Sequence, residues 1–259
     1  MLKKNLKNKP LVEAILELKW GLSLQAVQGS DAGHHYRLLL GRFSERVEKS
    51  YPFYEPLQTA QIPDEMIAHM VQHRFRIKEK SWPLIQIGPG IMTVNETDTY
   101  TWPDFKVHCE TAVNYLHDAH PAKQNFKIQE LILRYINAVE LNEEEKNVFS
   151  FLQNKMGTVI QLPEVLFAEK TVKADPVVFN WQASFPCDEH GGLLTLRFAL
   201  GKRGNKPVLV FETLVQASGE QMPQIPDGFS DWIDKAHDLA EDWFFKLIHG
   251  DLERRFSGE

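Results

Sequence analysis

Cysteine is nearly missing from this chain: there are two in 259 residues, Cys109 and Cys187, and neither stands in a CxxC pair. A disulfide framework, a thiolate zinc site and a dithiol redox centre are therefore not expected, and the usage suits a reducing compartment. Long apolar runs are missing too. No stretch approaches the ~18 residues that would cross a bilayer. The basic start, with Lys3, Lys4, Lys7 and Lys9, runs into Pro10, Glu13 and Glu17, which interrupts any signal-peptide core. These features point to a cytoplasmic protein with no membrane partner. An excess of positive charge is also absent, since 29 Lys and Arg stand against 35 Asp and Glu, a formal charge of -6. Nucleic acid is therefore not an expected partner of the surface as a whole, and the lysine cluster reads as a solvated tail.

Catalytic signatures are lacking as well. There is no GxSxG elbow, Walker A loop, post-strand GxGxxG or HExxH. Gly88-Pro89-Gly90 reads as a turn, because proline removes an amide that a phosphate cradle would use. No cofactor and no metal centre is expected. His69 and His73 are four apart, but residues 72 to 79 read as strand and no third ligand is apparent.

What the chain does have is ordinary globular material, 43% apolar and 25% charged residues. Its length suits one large domain or two small ones. Residues 11 to 20, LVEAILELKW, alternate: Val12, Ala14, Leu16, Leu18 and Trp20 form one side, while Glu13, Glu17 and Lys19 fall on the other. Residues 31 to 50 read as a helix with a Tyr36, Leu39, Leu40, Phe43, Val47 stripe, capped by Ser30 or Asp31. Pro52, Pro56 and Pro63 predict an extended loop, onto which Tyr51, Phe53 and Tyr54 are pinned. Strands follow at 72 to 79 and 84 to 95. Pro103 opens a helix to about residue 118. Residues 127 to 141 form a long strand, and Asn142 is expected to cap a helix running to Gly157, with Glu143, Glu144 and Glu145 in its first turn. Strands at 177 to 185, 192 to 200 and 207 to 216 form a meander, joined by turns at 188 to 192 and 201 to 205. Residues 229 to 248 form an amphipathic helix whose apolar arc spans about half its circumference, wider than one sheet contact needs. His237 lies at the edge of that arc and reads as a boundary residue.

The expected class is α+β, a mainly antiparallel sheet with helices on one face and a long C-terminal amphipathic helix. A β-α-β-β-α-β unit would cover 1–141 and an α-β-β-β-α unit 142–259, in two domains or one continuous one.

Charges inside apolar strands must face water, pair with each other or hold a ligand. Five such residues form the candidate ligand-binding set: Arg134, Glu13, Glu17, Arg197 and Glu212. Glu130 and Glu140 share a side with Arg134, and Asn180, Gln182 and Ser184 line one side of their strand. If those sides were contiguous they would make one polar sheet surface. Arginine there could grip a carboxylate or phosphate in bidentate fashion. The plainer reading is cross-strand ion pairing on a solvated face.

Several strings together resemble a sporadically distributed prokaryotic family of uncharacterised proteins of about this length. They are Asn8-Lys9-Pro10-Leu11-Val12-Glu13-Ala14, Gln86-Ile87-Gly88-Pro89-Gly90, Tyr100-Thr101-Trp102 with Phe105, Leu133-Arg134-Tyr135-Ile136-Asn137, and Trp232…Ala236-His237…Phe244. The resemblance runs nearly end to end. It implies a soluble prokaryotic protein and brings no activity or catalytic residues. Ala138-Val139 departs from the larger branched or basic residues of the family. Two functional expectations follow. The first is a binding or interaction module, homodimeric, that meets a protein partner through the polar sheet face or the broad terminal helix; a sporadic distribution would suit a defence or mobile-element accessory. The second is an enzyme or sensor for a small anionic ligand, with Arg134 and Arg197 on the anion and Glu13, Glu17 and Glu212 as metal-binding or acid–base groups.

Overall fold

A computed structural model describes residues 6–21, 31–97, 99–123, 126–142, 145–169, 171–187 and 192–259, with the side chains of all but 31–34 and 65. In chain order the elements are β1 (Leu11–Trp20), α1 (Asp31–Val47), β2 (Phe53–Pro56), β3 (His73–Arg76), β4 (Leu84–Gly88), β5 (Ile91–Glu96), α2 (Trp102–Ala119), β6 (Ile128–Glu140), α3 (Val148–Met156), β7 (Asn180–Pro186), β8 (Leu193–Arg203), β9 (Lys206–Ser218), α4 (Phe229–Leu247) and α5 (Asp251–Ser257), with short 3-10 turns between some of them. The class is α+β, as the alternating segments predicted.

The strands make one sheet in the order β2-β3-β4-β5-β1-β6-β9-β8-β7, and every pairing is antiparallel. β1 and β6 lie side by side at its centre. Outward from β1 run β5, β4, β3 and β2; outward from β6 run β9, β8 and β7. The order β1-α1-β2-β3-β4-β5-α2 is thus echoed by β6-α3-β7-β8-β9-α4, with one extra strand in the first copy. The antiparallel β1–β6 pair relates the two halves as a pseudo-twofold would. The expected boundary at 141/142 falls at the end of β6, which pairs with β1 on one side and β9 on the other.

Among the described residues, helices cover one face only. Beneath them, Ala14, Leu16, Leu18 and Trp20 of β1 and Leu131 and Leu133 of β6 are buried, in contact with Phe43 of α1, Phe105 and Val113 of α2 and Ile233 and Ala236 of α4. Each large apolar side chain removed from water there contributes about 1.5–3 kcal/mol. A second cluster gathers Phe198, Leu209 and Phe211 under Phe151 and Leu152 of α3 and Leu252 and Phe256 of α5.

The local devices are mostly those of the sequence. Tyr36, Leu39, Phe43 and Val47 are the buried stripe of α1. Thr101 caps α2, accepting from the Asp104 amide, with Pro103 in the first turn. The turn between β4 and β5 uses Gly90 at a φ of +76°. Two expectations need correction. Residues 53–56 form a strand on β3 rather than a loop, since the prolines sit at the limits of a short edge strand, where a missing amide is tolerated. The cap of α3 is Asn147, whose Oδ1 accepts from the Ser150 amide at 2.8 Å, so the helix starts five residues later than expected. Asn142 instead closes its own turn onto the Glu145 amide. Lys3 and Lys4, Ser30, Glu143, Glu144 and residues 188–191 lie outside the described residues, as does the side chain of Asp31.

Candidate functional site

Strand parity divides the polar groups of β6 between the two faces of the sheet. Even-numbered Glu130, Arg134 and Glu140 point to the open face, and odd-numbered Tyr135 and Asn137 point under the helices, in phase with Leu131, Leu133 and Val139. In register, Tyr135 stands between Ala14 of β1 and Thr213 of β9. Asn137, Thr213 and His237 are at most 5% exposed, so three polar side chains are buried within a few residues of one another in the fold.

They meet at a cavity of about 330 Å³, at the small end of ligand-pocket volumes. Tyr135, Asn137 and Thr213 form its sheet side, while His237, Ala240, Glu241 and Phe244 of α4 form one wall. Tyr100, Thr101 and Trp102 close it at the N-terminus of α2, and Leu6, Lys9, Pro10 and Leu11 edge it from the segment that leads into β1. Most of this lining is apolar or aromatic.

A hydrogen-bonded chain runs along one side. The Tyr100 hydroxyl donates to Tyr135 Oη at 3.1 Å. Tyr135 Oη lies 2.9 Å from His237 Nδ1. With its oxygen accepting from Tyr100, Tyr135 has its own proton for Nδ1, which places the imidazole N–H on Nε2. That atom is 3.8 Å from the Glu241 carboxylate. The His237 ring stacks on the Trp102 indole, centroids 3.7 Å apart and planes within 10°. Burial pushes both phenols well above the usual tyrosine range, so they remain hydrogen-bond donors throughout the physiological range. At the rim, Lys9 Nζ donates to the Tyr100 carbonyl at 2.9 Å.

Two groups stand apart from this chain. Asn137 Nδ2 and Thr213 Oγ1 are buried and make no hydrogen bond to any described residue. A buried polar group without a partner costs roughly 1–3 kcal/mol, and here two share one cavity wall. Both are hydrogen-bond donors, and both residues line the cavity.

The five residues chosen from the sequence lie elsewhere. Glu13 and Glu17 on β1, Arg134 on β6, Glu212 on β9 and Arg197 on β8 all fall on the open face, and the sheet register makes that face continuous from β2 to β7. Four of the five are engaged by neighbours. Asn95 Nδ2 donates to Glu13 at 2.8 Å. Lys19 bridges Glu17 at 2.9 Å and Glu130 at 2.7 Å, and Gln216 also reaches Glu130. Arg197 contacts Glu212 at 3.4 Å and donates to Asn180 Oδ1 at 3.1 Å. Arg134 alone of the five has no hydrogen bond or ion pair to a described residue. It is half-buried among Ile15, Ile132, Ile136 and Leu214, its neighbours along and across the strands.

Sequence reasoning missed the cavity. His237 was expected at the boundary of α4 and is instead buried, because the broad arc of this helix contacts both the sheet and the cavity. His73 lies in β3 and His69 outside any strand or helix, and the described residues contain no cluster of three metal-ligating side chains. None of the described helices is long and apolar enough to cross a membrane.

No known family model matches the chain, and no curated protein matches it significantly. Among solved structures, Methanococcus jannaschii TBP is similar at a TM-score of 0.27 and 11% identity, covering 91% of this chain and 99% of that one. The di-domain ARO/CYC StfQ from the steffimycin biosynthetic pathway is similar at 0.22 and 9%, covering 95% and 98%. The di-domain ARO/CYC BexL from the BE-7585A biosynthetic pathway is similar at 0.24 and 10%, covering 96% and 98%. Likeness of this degree says nothing about ligand or activity.

Proposed function

We propose that this protein binds a small molecule in the cavity between α4 and strands β6 and β9. The ligand has an apolar body and an oxygen acceptor at its buried end. The observation that carries this is the pair of unpartnered buried groups, Asn137 Nδ2 and Thr213 Oγ1, in a wall that is otherwise largely apolar. Of the buried groups without a partner among the described residues, these two belong to residues that line one largely apolar cavity, and a ligand oxygen brought within reach would offset the cost of leaving them unmet. The segments Lys9-Pro10-Leu11, Tyr100-Thr101-Trp102, Tyr135 with Asn137, and His237 with Phe244 all line this one cavity. Four of the five strings that carry the family resemblance thus converge on it, which supports the same reading.

Native mass spectrometry of the purified full chain, followed by thermal denaturation with a panel of small aromatic acids and ketones, tests it. The wild type should carry an adduct, or be stabilised by at least one compound, and the Asn137→Leu/Thr213→Val double variant should do neither while staying folded. Identical behaviour of the two proteins would reject the cavity as the site.

A second reading places an anionic ligand on the open face at Arg134, supported by the absence of any described partner for that half-buried cation. It predicts that inorganic phosphate or a dicarboxylate raises the melting temperature of wild type and not of Arg134→Ala. No phosphate effect on either protein would remove it.

A further inference from the structure

The two ends of the sheet are built differently. At one end β2 is four residues long, finishes at Pro56 and carries Glu55, held by Arg74 and Arg76. Short length, charge and proline are the usual guards against strand pairing. At the other end β7 is seven residues long, reads NWQASFP and carries no charge. No described strand lies beyond it.

The backbone of β7 shows which groups are left open. At its two ends Leu200 N donates to the Phe179 carbonyl and Cys187 N to the Gly192 carbonyl. Antiparallel pairs alternate between bonded and non-bonded, so 179, 181, 183, 185 and 187 are bonded to β8. Asn180, Gln182 and Ser184 therefore turn their N–H and C=O groups outward. Pro186, the next in that series, has no N–H to leave open. The side chains of Asn180 and Ser184 lean back to Arg197 and Thr195, leaving the outer row to the backbone.

We propose that β7 pairs with β7 of a second copy of this chain, antiparallel about a twofold at Gln182. That register sets Gln182 opposite itself and Asn180 opposite Ser184, so every outward amide and carbonyl of the three residues finds a partner. On the helix side it sets Phe179 of one copy opposite Phe185 of the other. Phe185 is 41% exposed in the single chain and leans on Trp243. Val177 and Val178, 97% and 81% exposed, precede Phe179 in the chain. The absence of charge on β7 means that no like charges meet across the axis, and the twofold closes the assembly instead of propagating it. An extended peptide from another protein could use the same backbone row, but it would lack the reciprocal Phe179–Phe185 contacts.

Light scattering on the full chain over a wide concentration range tests this. The expected mass is twice the 29.9 kDa of one chain. Gln182→Pro removes only an outward amide, a change that edge strands tolerate, and should give a monomer with unchanged circular dichroism whose melting temperature no longer rises with concentration. Should that variant unfold, Gln182→Lys keeps the backbone and sets two ammonium groups across the axis; its dimer should dissociate at least tenfold more readily. Gln182→Cys should form a covalent dimer on mild oxidation, because facing residues of a bonded pair lie about 5.5 Å apart, within disulfide range. The wild type, with Cys187 alone partly accessible, should not. A monomeric wild type, a Gln182→Lys dimer as tight as that of the wild type, or a dimer whose Gln182→Cys form does not cross-link would each overturn the proposal.

Discussion

On the open face of the sheet, Lys19 sits between two glutamates, Gln216 reaches one of them, and Arg197 is shared by Glu212 and Asn180. On the covered face, Asn137 of β6 and Thr213 of β9 line a cavity and bury an amide and a hydroxyl that have no partner among the described residues. Charge density would have ranked these faces the other way. Water and neighbouring strands can satisfy an exposed charge, so a charged face is commonly self-sufficient. A neutral polar group under a helix layer has neither resource, and its lack of a partner is the stronger sign of a ligand. Arg134 is the exception on the open side and marks where that contrast is weakest.

The contrast can be broken by substitution. The largest effect belongs to the covered face as a core: Leu133→Ala, at a fully buried position, should cost about 2–5 kcal/mol in denaturant unfolding. A cost near zero would mean that the helix layer is not packed on the sheet as described. Next comes a change of opposite sign. Thr213→Val removes an unsatisfied hydroxyl without changing shape, so stability should rise, by about 1–3 kcal/mol, while ligand binding falls. Destabilisation of that size would show that the hydroxyl has a structural partner.

The third effect is on the open face. Burial pulls the Lys19 ammonium down, but its hydrogen bonds to Glu130 and Glu17 outweigh burial and leave it raised. A raised lysine contributes fully below its unfolded value of about 10.4 and loses that contribution as pH climbs through the folded value. Lys19→Met should therefore cost about 1 kcal/mol at neutral pH, and the gap to wild type should close in strongly alkaline solution. A gap that persists there would assign the loss to packing of the lysine stem. The smallest effect is expected at Arg134→Ala, about 0.5 kcal/mol or less, because no described ion pair is broken. A large loss of stability would make Arg134 structural and would end the anion reading.

Much of the fold was legible because alternation is a direct print of two environments. Residues 13 to 20 showed both faces of β1, although a bulge between Leu11 and Glu13 leaves Val12 37% exposed and packs Leu11 on the core instead; the charges of β6 were assigned to the open side. β2 was hidden by its prolines, and the start of α3 by a second capping residue, Asn147, five positions after Asn142. The cavity was hidden for a different reason. Asn137 and Thr213 come near each other only through the register of β6 on β9, as diagonal neighbours, and Tyr100 joins the same cavity from a separate loop. A faint signal existed. Asn137 falls in the phase of Leu131, Leu133, Tyr135 and Val139, and Thr213 falls between Phe211 and Val215 on the buried phase of β9. His237 lies among Ile233, Ala236 and Ala240 in the same way. Neutral polar residues in a buried phase draw less notice than arginines, although they are the costlier ones to leave unmet.

The stack of Trp102 on His237 gives the cavity an optical consequence. Trp102 is one of six tryptophans, and its indole forms part of the cavity wall in face-to-face contact with the imidazole. Its emission is therefore coupled to the placement of that ring. Subtracting the spectrum of Trp102→Phe from that of wild type isolates a single fluorophore inside the site. Whatever enters between α4 and the sheet changes that difference, and occupancy can be followed without a label and before the occupant has been identified.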